Sequence, residues 1–272
     1  ELVREKGLTY IHGFDDAAII AGQGTLALEV LEQVKNADAI VVPIGGAGLI
    51  AGVSLALKTR NPNLEIIGVE PENCPSYTCA LEAGKPAPAP TQPTLADGLA
   101  VPTVGPRSFA IARERVDRVV LVNEEQIALA ILRLAEMEKG VIEGAGATPL
   151  AAFLSGQLDD LKGKRVVLSL CGGNIDPTIL TRIIEHGLVV DGRLSQFTAI
   201  ISDRPGGLAE FTQTIASTGA SVKQIAHERA FHDANVFTVR VVCTVETEDF
   251  AHIDRLHEAL AAKGIVVVDR KK

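Results

Sequence analysis

Several features that would indicate a membrane or nucleic-acid protein are missing from this sequence. No uninterrupted apolar stretch reaches the roughly 18 residues that a membrane-spanning helix needs. The first ten residues, ELVREKGLTY, carry charges of both signs and lack the apolar core of a secretory signal. The formal net charge is −8, so we expect no basic surface for a phosphate backbone. These absences predict a cytoplasmic protein that binds neither a membrane nor nucleic acid.

Cysteine is scarce and its spacing is irregular. The four cysteines are Cys74, Cys79, Cys171 and Cys243. Their spacing matches neither a zinc ribbon nor a disulfide framework. We therefore expect reduced thiols, as is usual in a cytosolic protein.

Two common nucleotide-binding motifs are also absent around the glycine-rich stretch VVPIGGAGLIAG at 41–52. Counted from Gly46, the third glycine of G-x-G-x-x-G falls one position too late, at Gly52. No G-x-x-x-x-G-K-[ST] motif occurs. Consecutive backbone N–H groups at the start of a helix can hold a single phosphate group. The alternative is a tight strand-to-helix connection without a ligand.

Apolar segments alternate with helical segments through the first two thirds of the chain. The predicted strands lie near 39–44, 64–69, 118–122 and 165–170. This order is typical of a parallel, doubly wound α/β sheet, which binds ligands beyond the carboxyl ends of its strands. One helix is predicted to begin after the N-cap Asn123 and to close at Gly140.

The pattern changes near residue 190. Over about 80 residues it predicts the order strand, helix, strand, strand, helix, strand, which is a ferredoxin-like βαββαβ unit. We place the boundary at Asp191–Gly192, which divides the chain into domains 1–190 and 191–272.

A second glycine-rich turn, SLCGGNID at 169–176, also follows an apolar strand. Cys171 stands at the strand tip, where its thiol either packs in the core or hydrogen-bonds a ring nitrogen. A phosphate turn at one strand tip and a partner for a heteroaromatic nitrogen at another suggest pyridoxal phosphate.

Four segments in this order resemble the serine/threonine dehydratases and serine racemase, which are fold-type II pyridoxal-phosphate enzymes. The segments are VVPIGGAGLIAG, GVEPENCPS, EGAGATPLAA and SLCGGNID, and AAIIAGQGTLALEV is similar to the region before the first of them. The resemblance covers roughly residues 10–187. It implies that the cofactor phosphate is held by Gly45, Gly46, Ala47, Gly48 and Leu49, and that Cys171 faces the pyridine nitrogen. Relatives usually have glycine at position 47, where a Cβ is tolerated only if Ala47 avoids positive φ.

The same resemblance assigns two further groups of residues. Glu143 would lie on the pyridine side of the cofactor, or it serves only as a carboxylate at a helix start. GVEPENCPS resembles the cation loop of the family, with ligands from Glu70, Cys74 and Ser76. Ser76 stands where divalent-binding relatives carry aspartate, which favours K⁺. Without that site, Glu70 would be a solvated charge after a strand.

The Schiff-base lysine of the family lies in an S-F-K-x-R-G-like motif, followed by an S-G-N-H-x-Q-like loop. Neither motif is found in this sequence. The family places both before the region matched here, so we expect the C-terminal portion of a longer enzyme, or a truncated or degenerate relative. No catalytic residue is assigned, and the chain alone is predicted to be inactive.

The last 80 or so residues resemble an ACT domain, a small-molecule sensor of amino-acid enzymes. The resemblance rests on SDRPGGLAEF. It implies an effector site lined by Asp203, Pro205, Gly206, Gly207 and Leu208, with Asn235 opposite. The alternative is an ordinary loop in a domain that only dimerises.

Together the resemblances imply a threonine/serine ammonia-lyase that eliminates water from its substrate and yields a 2-oxo acid and ammonia. An amino acid such as isoleucine or valine would regulate it, and the enzyme would form a homo-oligomer. Two alternatives remain, which are a non-catalytic regulatory protein that binds an amino acid and a serine racemase.

Overall fold

The structure is a computed structural model that describes residues 2–228 and 237–271. The chain divides into two compact units, Glu1–Leu180 and Thr181–Lys272. The predicted domain boundary at Asp191–Gly192 lies later in the chain than this division. That boundary stays a prediction. No helix in the described part of the chain is both long and apolar enough to cross a membrane.

A parallel sheet forms the centre of the first unit, as the sequence predicted. Its strands are β1 (Ala39–Pro43), β2 (Glu65–Pro71), β3 (Arg118–Val122) and β4 (Val166–Leu168). They lie in the order β3-β2-β1-β4, and every neighbouring pair is parallel. All of β1 is buried, because helices cover both faces of such a sheet. The nearly unbroken apolar sequence of β1 follows from this burial.

Eight helices of the described chain surround or follow this sheet. They are α1 (Leu2–Lys6), α2 (Ala17–Gln33), α3 (Gly48–Arg60), α4 (Ser76–Ala83), α5 (Pro106–Ala112), α6 (Glu124–Arg133), α7 (Gly144–Leu154) and α8 (Pro177–Val190). Short 3₁₀ turns occur at Asp97–Leu99 and Asp159–Leu161. The connection from β1 to α3 and the turn after β4 meet at the carboxyl edge of the sheet, since β1 and β4 are parallel neighbours.

The predicted end of α6 at Gly140 is wrong. A capping box between Asn123 and Gln126 begins the helix as expected. The α-helix ends at Arg133, and a π-helical turn follows over Leu134–Glu138. Lys139 then closes it with a left-handed φ of 56° and donates its N–H to the carbonyl of Leu134. The wider turn moves the left-handed position from the glycine to the residue before it.

The second unit contains an antiparallel sheet. Its strands are β5 (Leu194–Ser202), β6 (Ser221–Glu228), β7 (Thr238–Glu246) and β8 (Val266–Lys271). Two helices, α9 (Gly207–Ser217) and α10 (Phe250–Ala262), follow β5 and β7 respectively. The sheet order is β6-β7-β5-β8. Phe197, Phe211 and Leu256 lie in the apolar core between sheet and helices. The predicted βαββαβ order is therefore confirmed.

Candidate functional site

A cavity of about 380 Å³ lies at the carboxyl ends of β1 and β4. Its wall combines the turn after β1, the segment before α2, the start of α7 and the turn after β4. The structure brings all the residues predicted for the cofactor to this cavity: Gly45, Gly46, Ala47, Gly48, Leu49, Glu143 and Cys171. Glu143 carries the one charged side chain among the described residues of the wall.

Close contacts with other parts of the chain explain why the turn contains glycines. A Cβ on Gly46 would overlap the Phe14 ring, and a Cβ on Gly48 would overlap the Phe14 carbonyl oxygen. A Cβ on Gly45 would lie 3.0 Å from the Cα of Leu99. The glycines are therefore needed by the fold itself, and their presence alone does not establish an anion.

The start of α3 supplies the argument for an anion. No side chain of the described residues caps this 13-residue helix. The first N–H groups of a helix have no partner within it, and the helix dipole favours a negative charge there. Since Gly48 and Leu49 line the cavity, these donors lie beside it. The geometry fits a phosphate group.

Ala47 does not meet the condition set for a Cβ at this position. Its φ is 71° and its ψ is 4°, a left-handed conformation, and the residue is 2% exposed. For a residue with a Cβ, this conformation costs about 1–2 kcal/mol. The fold around the turn holds Ala47 in a conformation that glycine adopts freely.

Cys171 is exposed to the cavity, so the interpretation of this thiol as a core residue is wrong. Partial removal of water by the surrounding protein raises the pKa of the thiol. A hydrogen bond from the Ser169 hydroxyl, at 3.9 Å, lowers the pKa in part, and the Glu143 carboxylate raises it further. The thiol is therefore neutral near pH 7. All four cysteines are free, as predicted.

Glu143 lies at the start of a helix, as one interpretation of the sequence predicted, and its place beside the cofactor ring stays a prediction. It stands at the N-cap of α7 and also lines the cavity. Its backbone N–H donates to the Gly172 carbonyl at 3.2 Å, and its Oε2 accepts from the Asn174 N–H at 2.9 Å. Glu143 thus fixes the turn that carries Cys171.

Glu70 is fully buried, so its interpretation as a solvated charge is wrong. Its carboxylate accepts hydrogen bonds from the Tyr77 N–H at 2.6 Å, the Thr78 N–H at 2.9 Å and the Thr78 hydroxyl at 2.7 Å. Burial raises the pKa of this carboxyl, and these hydrogen bonds offset part of the rise. Glu70 therefore caps the start of α4 from the end of β2.

The other two predicted cation ligands lie beside this cap. The Cys74 carbonyl accepts from the Ser76 N–H at 3.0 Å, and the Ser76 hydroxyl donates to the Gly45 carbonyl at 3.5 Å. In the described part of the chain, no three His, Cys, Asp or Glu side chains form a group that could hold a metal ion. A K⁺ site that uses carbonyl and hydroxyl oxygens is not tested by this finding and stays a prediction.

The predicted effector residues lie at the turn from β5 into α9. Gly206 is the N-cap of α9 with a φ of 99°, which favours glycine. A Cβ on Gly207 would overlap the Ser202 carbonyl oxygen. Asp203, Pro205 and Leu208 belong to the same turn, whereas Asn235 lies outside the described residues. The effector role of this turn stays a prediction.

Sequence reasoning missed several residues of the cavity wall, chiefly Phe14, Gln23, Gly98 and Leu99. Phe14 and Gln23 belong to the segment GFDDAAIIAGQG, part of which resembles the family without assigning a residue to the site. Gly98 and Leu99 belong to a Pro- and Ala-rich loop that carries no periodic signal. Their position depends on contacts between distant parts of the chain.

Comparison with known proteins decides the family. The family model described as "Pyridoxal-phosphate dependent enzyme" matches residues 1–172, which is more than half of the chain. The chain belongs to the pyridoxal-phosphate-dependent enzymes. This assignment rests on the sequence match, and the shape of the cavity agrees with it. The uncapped start of α3 suits the phosphate of pyridoxal phosphate, and the neutral Cys171 thiol can face a ring nitrogen.

Similar proteins within the pyridoxal-phosphate-dependent enzymes carry related names. An L-threonine ammonia-lyase of Thermotoga maritima is 42% identical over 266 residues, which cover 97% of this chain and 66% of that protein. A processed threonine deaminase isoform 2 from Solanum lycopersicum has a TM-score of 0.65 at 37% identity, covering 68% of this chain and 54% of that one. A serine racemase from Dictyostelium discoideum has a TM-score of 0.59 at 39% identity, covering 64% and 56%. The chain thus spans about two thirds of its curated relative's length.

Proposed function

We propose that this chain carries the phosphate-binding and ring-binding part of a threonine/serine ammonia-lyase. Such an enzyme removes water from a β-hydroxy amino acid and releases a 2-oxo acid and ammonia. The observation that carries the proposal is the meeting of two strand tips in one cavity, where the uncapped start of α3 lies in the same wall as a neutral thiol. The similarity to an L-threonine ammonia-lyase supports the same substrate class.

The cavity residues that the sequence predicted each have a role in this proposal. The N–H groups of Gly45 to Leu49 hold the phosphate, and α3 contributes the positive end of its dipole. When bound, pyridoxal phosphate acts as an electron sink for the amino-acid Cα. Cys171 donates or accepts a hydrogen bond at the ring nitrogen without supplying a charge. Glu143 keeps the Cys171 turn in place through Asn174.

Turnover of L-threonine tests the proposed activity. The full-length product of the gene, supplied with pyridoxal phosphate, should release 2-oxobutanoate and ammonia from L-threonine and pyruvate from L-serine. A variant with Cys171→Asp, which places an ionised group at the ring nitrogen, should lose most of this elimination. Absence of both 2-oxo acids would overturn the ammonia-lyase proposal.

A serine racemase is the second candidate, favoured by the similarity to the Dictyostelium discoideum enzyme. The same incubation distinguishes the two activities when the serine enantiomers are separated by chiral chromatography. D-Serine in excess of pyruvate would favour the racemase. A third candidate is an amino-acid-binding regulator without catalysis, and the Gly206–Gly207 turn of the βαββαβ unit favours it. That candidate predicts amino-acid binding with neither product.

Regulation is proposed for the domain 191–272, which we assign as ACT-like. Its βαββαβ order and the Gly206–Gly207 turn at the start of the 11-residue α9 support this assignment. The turn leaves backbone N–H groups for an amino-acid carboxylate, and Asp203, Pro205 and Leu208 flank it. Isothermal titration with L-isoleucine and L-valine should show binding, and binding should be lost with Gly207→Val, since the side chain would overlap the Ser202 carbonyl.

Four further parts complete the proposal. We assign 1–190 as the catalytic domain and place a K⁺ ion at Glu70, Cys74 and Ser76. Glu70 offers a buried carboxylate, and the Ser76 hydroxyl links this place to the glycine turn. A homo-oligomer is the expected assembly, which light scattering would measure, and a cytoplasmic location is expected from the sequence.

A further inference from the structure

Three distant parts of the chain meet at the glycine turn. These are the segments 12–16, 45–48 and 105–108. The Phe14 ring and carbonyl lie where Cβ atoms of Gly46 and Gly48 would be. The Gly105 N–H donates to the Gly46 carbonyl at 3.1 Å. The position of the turn is therefore set by the other two segments.

Asp15 joins these two segments. Its Oδ1 accepts from the Ser108 N–H at 2.8 Å, in the first turn of α5. The N-cap of that helix, Gly105, provides no side-chain cap, and a Cβ there would overlap the Asp15 carboxylate. Asp15 thus caps α5 from 93 residues away in sequence, in a space that glycine leaves open.

The contacts around this cap hold Phe14 by its backbone. The buried Ser108 hydroxyl donates to the Phe14 carbonyl at 2.7 Å. An Arg107 Nη1 donates to the Asp15 carbonyl at 3.1 Å. The first turn of α5 therefore makes three hydrogen bonds with Phe14 and Asp15, so displacement of Asp15 displaces Phe14 as well.

Asp15 itself does not line the cavity in the described structure, whereas Phe14 does. We infer that Asp15 is a positioning residue for the phosphate-binding turn, which acts through α5 and Phe14 on Gly46 and Gly48. The inference rests on the proposed phosphate site and extends it to a residue outside the cavity wall. It predicts that loss of the Asp15 carboxylate changes phosphate binding without removing any group that touches the phosphate.

Asp16 provides a matched control. It is the same residue type at the next position, and both aspartates are half-buried. Its Oδ1 accepts from the Ala18 N–H at 2.8 Å and so caps α2 instead of α5. Removal of either carboxylate deletes one helix cap, but of the two only Asp15 is hydrogen-bonded to α5, whose N-cap Gly105 donates to the Gly46 carbonyl.

The test measures pyridoxal phosphate binding to the 272-residue chain by isothermal titration calorimetry and ³¹P NMR. Asp15→Ala should weaken binding by about tenfold, the low end of the effect that outer supporting residues have at metal sites. It should also move the ³¹P resonance of the bound phosphate. Asp16→Ala should leave affinity and resonance unchanged. Asp15→Asn, which keeps an oxygen to accept from Ser108, should restore most of the affinity.

The outcomes separate this inference from the phosphate site on which it rests. If the wild-type chain does not bind pyridoxal phosphate, the proposed site and the inference both fail. Equal affinity of wild type and Asp15→Ala, or equal losses in the two alanine variants, would overturn the inference alone. Should Asp15→Ala not fold, Ser108→Ala removes the bond to Phe14 and should weaken binding severalfold. Unchanged affinity of Ser108→Ala would then count against the inference.

Discussion

Ala47 holds a backbone conformation that glycine adopts without strain. Its φ of 71° places the residue in the left-handed region at the start of α3. Replacement by glycine removes a strain of about 1–2 kcal/mol but gives the unfolded chain more freedom, worth about 0.4–1 kcal/mol. We expect Ala47→Gly to raise the free energy of unfolding by about 0.5–1 kcal/mol, measured by chemical denaturation.

The same substitution one turn later is the control for Ala47→Gly. Ala51 is buried in the interior of α3, where glycine costs about 1 kcal/mol relative to alanine. Ala51→Gly should therefore lower the free energy of unfolding. A loss of stability in both variants would show that Ala47 carries no strain.

The ionisation of Cys171 depends on its neighbour Glu143. The Glu143 carboxylate is one of the causes that raise the pKa of the thiol. Glu143→Gln removes this charge and leaves an oxygen to accept from Asn174, so the pKa of the Cys171 thiol should fall. The rate of alkylation of Cys171 by iodoacetamide, followed by mass spectrometry as pH is raised, should then reach its midpoint at a lower pH.

Asp176 gives the control for the Cys171 experiment. Its carboxylate lies on the same connection but accepts hydrogen bonds from Thr178. Asp176→Asn should leave the midpoint of Cys171 alkylation where it is in the wild-type chain. An equal shift in both variants would point to a general change of the loop and not to the Glu143 charge.

At the scale of elements, Glu70 ties the end of β2 to the start of α4. Because burial raises the pKa of Glu70 in the folded chain, the folded state binds this proton more tightly than the unfolded state does. The resulting stability is present below the ordinary pKa of a glutamate and is lost as pH rises through the raised value. The wild type should therefore lose stability relative to Glu70→Gln over this interval, as measured by urea unfolding at several pH values.

An exposed glutamate nearby is the control for this pH dependence. Glu72 follows β2 and is exposed to solvent. Glu72→Gln should lose stability over the same pH interval as the wild type does. If Glu70→Gln also follows the wild type throughout, the buried carboxyl does not control the pH dependence.

The elements were predictable where one local property decided them. The strands β1 and β2 are buried and read as apolar runs, and α6 begins with the capping box of Asn123 and Gln126. The π-helical turn after Arg133 was not predictable, because such turns are rare and its residues continue the helical pattern of α6.

At the scale of the whole molecule, the proposed cation should stabilise the protein. K⁺ should raise the midpoint of thermal unfolding more than Mg²⁺ does at equal ionic strength, because Ser76 adds no charge to the site. Differential scanning calorimetry measures both midpoints. The variant Glu70→Gln should lose the difference between K⁺ and Mg²⁺. A larger stabilisation by Mg²⁺ would overturn the K⁺ assignment.

The two glycine-rich turns of the candidate site were predictable, but the contacts that hold them in place were not. The turns at Gly45–Leu49 and Cys171 were found because each follows a predicted strand, and parallel strands bring their carboxyl ends together. The contacts of Phe14 with Gly46 and of Asp15 with Ser108 join residues far apart in sequence. Patterns within a single segment carry no information about such contacts.

The charged groups of the cavity wall determine how an anion can be held there. In the described structure the wall contains no lysine, arginine or histidine, so the donors that the start of α3 offers to an anion are main-chain N–H groups. A main-chain donor cannot be deleted by exchanging one side chain for another, unless the new residue is proline. Most single substitutions in this turn therefore leave its N–H donors in place. A substitution can still change the path of the backbone. Residues that do not contact the anion determine this path.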